Sequence, residues 1–157
     1  MRLALFQPDI PQNVGAAMRL GACLGVPIDV IEPCGFPFSD REVRRAAMDY
    51  GQMAQVERHA GWAAFLSKHR RSGGRLVLFT TCGAQAFHAF DYRPDDVLLF
   101  GRESAGVPDE VHAAAQARLI IPLAPGARSL NLTLSAAMAL SEALRQTNGF
   151  PSPAPTG

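Results

Sequence analysis

Two loops rich in glycine and proline, each directly following a short apolar run, constrain the fold of this chain most. The apolar run at residues 97–100 leads into a loop at 101–108, and the run at 119–121 leads into a loop at 122–131. Such runs are typical of strands buried in a parallel sheet, and open α/β sheets bind ligands at the carboxyl ends of their strands. The two loops therefore predict a ligand site at one edge of a sheet.

The remainder of the chain alternates between strand-like and helix-like segments, which predicts an α/β fold with a mostly parallel sheet and helices on both faces. One helix is predicted to begin at Ser39 or Asp40 and to end at about residue 48. In the helix predicted at 12–24, the residues expected to face inward are Val14, Ala17, Met18, Gly21 and Cys23. Strands are predicted at 2–6, 28–31, 55–58, 75–80, 97–100 and 119–121, and helices at 12–24, 62–69, 108–115 and 132–146.

Length and composition are those of one ordinary globular domain. The chain has 157 residues, of which 48% are hydrophobic and 18% charged. We expect a single domain over residues 1–150 and a loose, proline-rich tail over 151–157. Neither a signal peptide nor a membrane span is predicted, so a cytoplasmic protein without membrane association is the expectation.

Cysteines and histidines do not form a recognisable metal or disulfide pattern. The three cysteines are isolated and odd in number, which argues against a disulfide framework. The four histidines lack the spacing of zinc ligands, so we expect no metal centre.

Positive charge is concentrated in two clusters although the net charge is only +1. Each cluster is interpretable either as solvated helix surface or as a phosphate-binding surface. The first cluster contains Arg41, Arg44, Arg45 and Arg58, and the second contains Lys68, His69, Arg70, Arg71 and Arg75.

Three elements carry candidate functional residues, and each also has a purely structural interpretation. The loop with Gly101 and Glu103 is either a ligand loop or a plain strand-to-helix turn. Ser129 and Asn131 either cap a helix or lie at a helix amino terminus that attracts anions. Asn13 and Arg19 are six residues apart, which places them on different sides of a helix. Arg19 is either a surface arginine or a cation directed at phosphate.

Together these three elements resemble the motifs of the SpoU branch of the SPOUT superfamily of RNA methyltransferases. The segment from Asn13 to Arg19 resembles the first motif, residues 99–108 the second, and residues 121–135 the third. Residues 31–36, 44–50 and 80–83 are further similar to the small tRNA wobble 2′-O-methyltransferases, which methylate the ribose of the first anticodon nucleotide. One departure is Arg102, since those wobble enzymes often have proline there.

The resemblance implies a deep trefoil knot in the carboxy-terminal half and a homodimer whose active site is completed across the interface. It implies S-adenosylmethionine as cofactor, S-adenosylhomocysteine as product, no metal, and the anticodon stem-loop of tRNA as partner. It further implies a cofactor pocket formed by Phe79, Gly101, Ile121, Ser129 and Leu130, and catalytic or orienting roles for Asn13, Arg19, Glu103, Ser129 and Asn131.

The expected reaction is attack of a ribose 2′-hydroxyl on the cofactor's methyl group. Because a guanidinium retains its proton, we hypothesise that Arg19 binds the adjacent phosphate rather than acting as a base. Phe36, Phe38 and Tyr50 are candidates either for stacking on RNA bases or for the protein core.

Three other functions compete with this prediction. They are a ribose methyltransferase for another tRNA or rRNA position, a non-catalytic RNA-binding dimer, and a flavodoxin-type nucleotide-binding module. The last has the least support, because neither a Gly-x-Gly-x-x-Gly turn after the first strand nor a Walker loop is present.

Overall fold

The computed structural model describes residues 1–38, 50 and 53–152. The helix predicted from Ser39 or Asp40 and most of the predicted tail lie outside these residues. The strands are β1 (Arg2–Phe6), β2 (Ile28–Ile31), β3 (Val56–His59), β4 (Leu76–Phe79), β5 (Gln85–Ala86), β6 (Val97–Phe100) and β7 (Ala117–Ile120). The helices are α1 (Pro11–Leu24), α2 (Trp62–Ser72), α3 (Asp109–Ala114) and α4 (Leu132–Thr147), with a short 3₁₀ turn at Phe87–Ala89.

The seven strands form one parallel sheet in the order β3-β2-β1-β6-β4-β7-β5. The internal strand β1 pairs with β2 on one side and β6 on the other, with Leu5 opposite both Val30 and Phe100. Strands β2, β4 and β6 are buried at every position, as expected for strands covered on both faces. The chain order reverses beside β1, and such a switch point leaves a crevice at the carboxyl edge.

Two hydrophobic cores cover the two faces of the sheet, which confirms the predicted three-layer arrangement. Leu3 and Leu5 pack into the core beneath α1 and α4, whereas Ala4 and Phe6 pack into the core beneath α2 and α3. Successive β1 side chains thus alternate between the two cores, following the period of two of a strand.

Helix α1 fixes the orientation of two candidate residues. Asn13 is buried and Arg19 is exposed, as their six-residue spacing predicts. The expectation for Cys23 is wrong, because the structure exposes this side chain. Cys23 lies two positions after buried Gly21, and two residues correspond to about 200° of helical rotation, so the two cannot share a face.

Candidate active site

A cavity of about 710 Å³ opens at the carboxyl edge of the sheet, where β4, β6 and β7 end and α4 begins. It contains every residue predicted for the cofactor pocket: Phe79, Gly101, Ile121, Ser129 and Leu130. Its volume lies within the range of about 300–1,000 Å³ that small-molecule sites occupy. The cavity therefore lies at the predicted carboxyl edge of the sheet, next to the switch point between β1 and β6.

Three predicted catalytic side chains, one from each motif, form a hydrogen-bonded chain at this cavity. Asn131 Nδ2 donates to Asn13 Oδ1 at 2.9 Å, and Asn13 Nδ2 donates to Glu103 Oε1 at 2.7 Å. The second carboxylate oxygen of Glu103 accepts from the backbone N–H of Asp9 at 2.8 Å. Residues separated by up to 118 positions in the chain are thereby held in one fixed arrangement.

Asn131 also caps helix α4, which fixes the third motif to the start of that helix. Its Oδ1 accepts from the backbone N–H groups of Thr133 at 2.9 Å and Leu134 at 3.2 Å. Thr133 Oγ1 in turn donates to the carbonyl of Asn13 at 3.1 Å. The capping role considered from sequence is therefore correct for Asn131, and it coexists with a place in the site.

The loop after β6 is closed on itself. The backbones of Arg102 and Gly106 exchange two hydrogen bonds of 2.9 Å, and Gly106 has a φ of 64°. A Cβ on Gly101 would lie 2.6 Å from the carbonyl carbon of Gly106, so the tight closure requires glycine at position 101. Ser104 bonds through its hydroxyl and N–H to the carboxylate of Asp9, and it does not cap α3.

Part of the cavity wall is apolar. Phe79 and Phe100, at the ends of adjacent strands, stack with ring centroids 4.7 Å apart and planes at 12°. Ile121 and Leu132 line the cavity as well. Apolar walls with a few fixed polar groups are the usual surroundings of a bound cofactor.

Arg19 is the one predicted site residue that does not line this cavity. It lies on the exposed side of α1, and its guanidinium carbon is 4.9 Å from the centroid of the Tyr50 ring. The other eight predicted residues come together at the cavity.

The segment after β2 packs close to the same edge. Gly35 donates its N–H to the carbonyl of Pro8 at 2.9 Å. Burial raises the pKa of the Cys34 thiol to about 11, and the negative charges of Glu32 and Glu103 add to the rise while Arg58 opposes it.

The neighbouring aromatic rings already pack on protein groups. Phe36 and Phe38 stack on each other with centroids 6.1 Å apart. The Arg58 guanidinium lies 4.5 Å from the Phe38 centroid and pairs with Glu32. Both rings also contact the core, so the core interpretation holds for them in this conformation.

Charge pairing accounts for two members of the second basic cluster. Lys68 pairs with Glu57, and Arg75 binds both carboxylate oxygens of buried Asp96 at 2.8 Å. Arg75 immediately precedes β4, whereas the cavity lies at that strand's carboxyl end. A strand of four residues spans about 13 Å, so this cluster lies at the far edge of the sheet.

A separate polar cluster lies between the sheet and α2, where Asp29, Glu57 and His59 offer ligand atoms within 4.8 Å of one another. Arg2 binds both oxygens of Asp29 at 2.6 and 2.8 Å, and His59 Nε2 lies 2.7 Å from Asp29 Oδ1. These carboxylates already have cationic or imidazole partners, so the cluster is arranged as an ion-pair network.

Sequence reasoning missed two residues that shape the cavity region. Asp9 bridges Glu103 and Ser104, and Thr133 ties α4 to α1. The available signals were a carboxylate next to Pro8 and a hydroxyl at the second position of a helix, and both patterns are common at turns and helix starts.

Comparison with known proteins shows the family to which the chain belongs. Residues 1–141 match the model of the SpoU rRNA Methylase family. The chain belongs to the SpoU rRNA methylase family. This SpoU protein is accordingly a methyltransferase, and all three motifs lie within the matched residues.

Named relatives of this SpoU protein cover nearly its whole length. It is 57% identical over 148 residues to a protein of Beijerinckia indica named tRNA (cytidine(34)-2'-O)-methyltransferase, covering 94% of this chain and 92% of the relative. It is 37% identical over 153 residues to the Escherichia coli K12 protein of the same name, covering 96% of each.

Solved structures are similar to this SpoU protein across the same region. One, described as giving insights into "the 2-OH methylation of C/U34 on tRNA", has a TM-score of 0.87 and 41% identity, covering 92% of this chain and 94% of that one. An AdoMet-bound rRNA methyltransferase of Sinorhizobium meliloti has a TM-score of 0.83 and 32% identity, covering 92% of this chain and 55% of that one. Among the described residues, no helix is long and apolar enough to cross a bilayer.

Proposed function

We propose that this protein transfers a methyl group from S-adenosylmethionine to the ribose 2′-hydroxyl of the wobble nucleotide, position 34, of tRNA. The observation that carries the proposal is the chain Asn131–Asn13–Glu103, which joins all three motifs at the mouth of the cavity. Relatives 37–57% identical over nearly the full length are named for this reaction.

The cavity suits S-adenosylmethionine in size and chemistry. Phe79, Ile121 and Leu130 offer apolar contact for an adenine ring, while Gly101 and Ser129 offer backbone and hydroxyl groups to the polar parts of the cofactor. When bound, the cofactor supplies a methyl group on a positively charged sulfur that leaves as a neutral thioether. Because the leaving group is already activated, the proposed reaction uses no metal.

The protein's own contribution is positioning. The capped amino terminus of α4 and the Glu103 carboxylate are fixed by hydrogen bonds before any substrate arrives, so little reorganisation is needed on binding. Ser129 and Asn131 orient the ribose of the target nucleotide, and Arg19 binds the neighbouring phosphate. A phosphate held beside the 2′-hydroxyl is also a route for its proton, which a guanidinium does not accept.

We further propose that the protein acts as a homodimer in which Arg19 reaches the partner's cavity. Support comes from the position of Arg19 outside the cavity of its own chain. Exposed apolar side chains on α4 give further support, since Leu134 is 59% and Met138 41% exposed and they lie one turn apart.

Residues 1–150 are proposed to be one methyltransferase domain, followed by the loose tail of 151–157. The family resemblance adds a trefoil knot in the carboxy-terminal half and a cytoplasmic location, where tRNA is modified. The anticodon stem-loop is the proposed docking partner, and Arg41, Arg44 and Arg45 are the remaining candidates for its phosphate contacts. All three lie outside the described residues.

The test is mass-spectrometric mapping of ribose methylation after incubating purified protein with S-adenosylmethionine and unmodified or cellular tRNA. We expect methylation at nucleotide 34 in the wild type and its loss in Arg19→Ala, with S-adenosylhomocysteine binding retained. The matched control is Arg71→Gln, an exposed arginine at the end of α2.

Other outcomes would replace the proposal. Methylation at a different tRNA or rRNA position would assign another target to the same chemistry. Tight RNA binding without methyl transfer would favour a non-catalytic RNA-binding dimer. Near-normal turnover in Arg19→Ala would reject the role given to Arg19.

A further inference from the structure

Arg102 is a charged cavity residue that the hydrogen-bonded site does not use. It lines the cavity and is half-buried, and its guanidinium carbon lies 5.9 Å from the centroid of the Phe6 ring. Among the residues that the structure describes, no carboxylate pairs with it. Arg102 is also where the sequence departs from the proline frequent in wobble enzymes.

The adjacent Glu103 carboxylate does not form an ion pair with Arg102 in the described part of the chain. Its two oxygens are taken by the Asn13 side chain and the Asp9 N–H. Asp9, the other carboxylate of this network, accepts hydrogen bonds from Ser104. The positively charged Arg102 guanidinium therefore lies at the cavity, and its N–H groups are available to donate hydrogen bonds to a ligand.

The backbone and the aromatic neighbour hold Arg102 in place. Its N–H and carbonyl are both bonded to Gly106, which fixes the Cα position. Phe6 is only 3% exposed and lies at the end of the internal strand β1, so it offers a fixed surface to the guanidinium. A side chain fixed before binding loses less freedom when a ligand arrives.

We propose that Arg102 is a positioning residue that binds a backbone phosphate of the RNA substrate at the cavity mouth. A planar guanidinium suits bidentate binding of phosphate oxygens. The inference rests on the proposed function, because it assumes an RNA strand at this cavity. The same chemistry would also suit the amino-acid carboxylate of the cofactor. Separate measurements of tRNA binding and cofactor-product binding distinguish these two anions.

The test compares wild type with Arg102→Gln and Arg102→Lys. Binding of tRNA is measured by fluorescence anisotropy at several salt concentrations without cofactor, and S-adenosylhomocysteine binding by calorimetry. We expect Arg102→Gln to weaken tRNA binding about tenfold, as for loss of a hydrogen bond to a charged group. The log–log salt slope should fall by about 0.7 to 0.9, the contribution of one phosphate contact.

Lysine at position 102 keeps the positive charge but lacks the planar pair of N–H donors of a guanidinium. Arg102→Lys should therefore retain the salt slope of tRNA binding while losing part of the affinity for tRNA. Affinity for S-adenosylhomocysteine should stay within about twofold in both variants, and a raised KM for tRNA with little change in kcat should accompany the loss of binding. Arg71→Gln is the matched control and should leave both affinities unchanged.

Two results would overturn the inference. One is weaker S-adenosylhomocysteine binding with unchanged tRNA binding, which would assign Arg102 to the cofactor carboxylate. The other is an unchanged salt slope and unchanged tRNA affinity in Arg102→Gln. Because anisotropy does not require catalysis, failure of the wild type to methylate tRNA would count against the proposed function and leave this measurement interpretable.

Discussion

Asn13 is the residue on which the three motifs converge. Its amide oxygen accepts from Asn131, its amide nitrogen donates to Glu103, and its backbone carbonyl accepts from Thr133. The side chain is only 6% exposed, so these groups are satisfied within the protein rather than by solvent. An amide is well suited to this position because it offers a donor and an acceptor on adjacent atoms.

Replacing Asn13 by alanine should therefore impair both stability and activity. Glu103 and Asn131 each lose a partner, but Glu103 is half-buried and Asn131 is exposed, so water replaces part of these bonds and we expect a cost of about 0.5–1.5 kcal/mol. For a chain of this length we expect a fall in Tm of about 2–4 °C for each kcal/mol lost. Displacement of the aligned groups should lower kcat on the order of 100-fold, measured with saturating cofactor.

Gln12→Ala is the control for this variant, because Gln12 is the exposed neighbour on the same helix. It should change neither Tm nor kcat appreciably. An Asn13→Ala protein with wild-type kcat would show that the hydrogen-bonded chain does not set the catalytic geometry.

At the scale of elements, the close approach of α1 to β2 sets the position of the first motif. Gly21 faces the strand, and a Cβ there would lie 2.6 Å from the Val26 carbonyl oxygen and 2.8 Å from Ile28 Cδ1. Neither Val26 nor Ile28 can move away from an added Cβ, because the Val26 N–H bonds to the Gly21 carbonyl and Ile28 is fully buried in the sheet. Glycine at this position thus permits the helix to pack against the sheet.

Gly21→Ala should destabilise the protein although alanine favours helices. The gain in helix propensity is up to about 1 kcal/mol, whereas forcing extra volume into a packed core typically costs about 1–3 kcal/mol. Urea denaturation should show a net loss of stability, with Cys23→Ala on the exposed side of α1 changing it by less than about 0.5 kcal/mol. A more stable Gly21→Ala protein would contradict this packing argument.

The elements that sequence predicted well are those with a single strong pattern. Strands such as Ile28–Ile31 and Val97–Phe100 were placed correctly because strands buried on both faces are uninterrupted apolar runs. Strand β5 was missed because Gln85 and Ala86 form no such run and are ordered by pairing with β7. Helix ends moved by up to three residues, as α2 continues to Ser72.

Within the site, the motifs identified the residues but not how they contact one another. The sequence assigned Asn13, Glu103 and Asn131 to one site, yet nothing in it specified that Asn13 would bridge the other two. Such contacts depend on the packing of α1 against α4 and on the strand order, which are long-range properties. For the same reason Arg19 was assigned to the site although the cavity of its own chain does not include it.

The molecule as a whole has two chemically different edges. The carboxyl edge holds the cavity, with a chain of neutral amides and one carboxylate. Toward the amino ends of β1 and β4, charges are paired within the protein, as with Arg2 and Asp29 or Arg75 and Asp96. Function is therefore expected at one edge only, with the opposite edge contributing to stability.

The exposed apolar face of α4 allows the proposed homodimer to be tested through the oligomeric state of the whole molecule. We expect the wild type to elute with twice the chain mass of 16.8 kDa in light scattering, and the double variant Leu134→Glu/Met138→Glu to elute as a monomer. The monomer should lose methyl transfer if Arg19 acts in the partner's cavity. Phe150→Glu, at a side chain that is 48% exposed beyond the end of α4, is the control.

A wild type that is monomeric at micromolar concentration would contradict the proposed dimer. A fully active monomeric variant would instead contradict the sharing of Arg19 between subunits.

The contact between Asn13 and Asn131 has a consequence for synthesis of the protein. A ribosome that has made the first 120 residues has added the residues of all seven strands but none of the α4 side chains that close the pocket. Nascent chains should consequently lack affinity for the methyl donor until the last helix has left the exit tunnel. We therefore expect unfinished copies not to modify RNA, without any dedicated inhibitor.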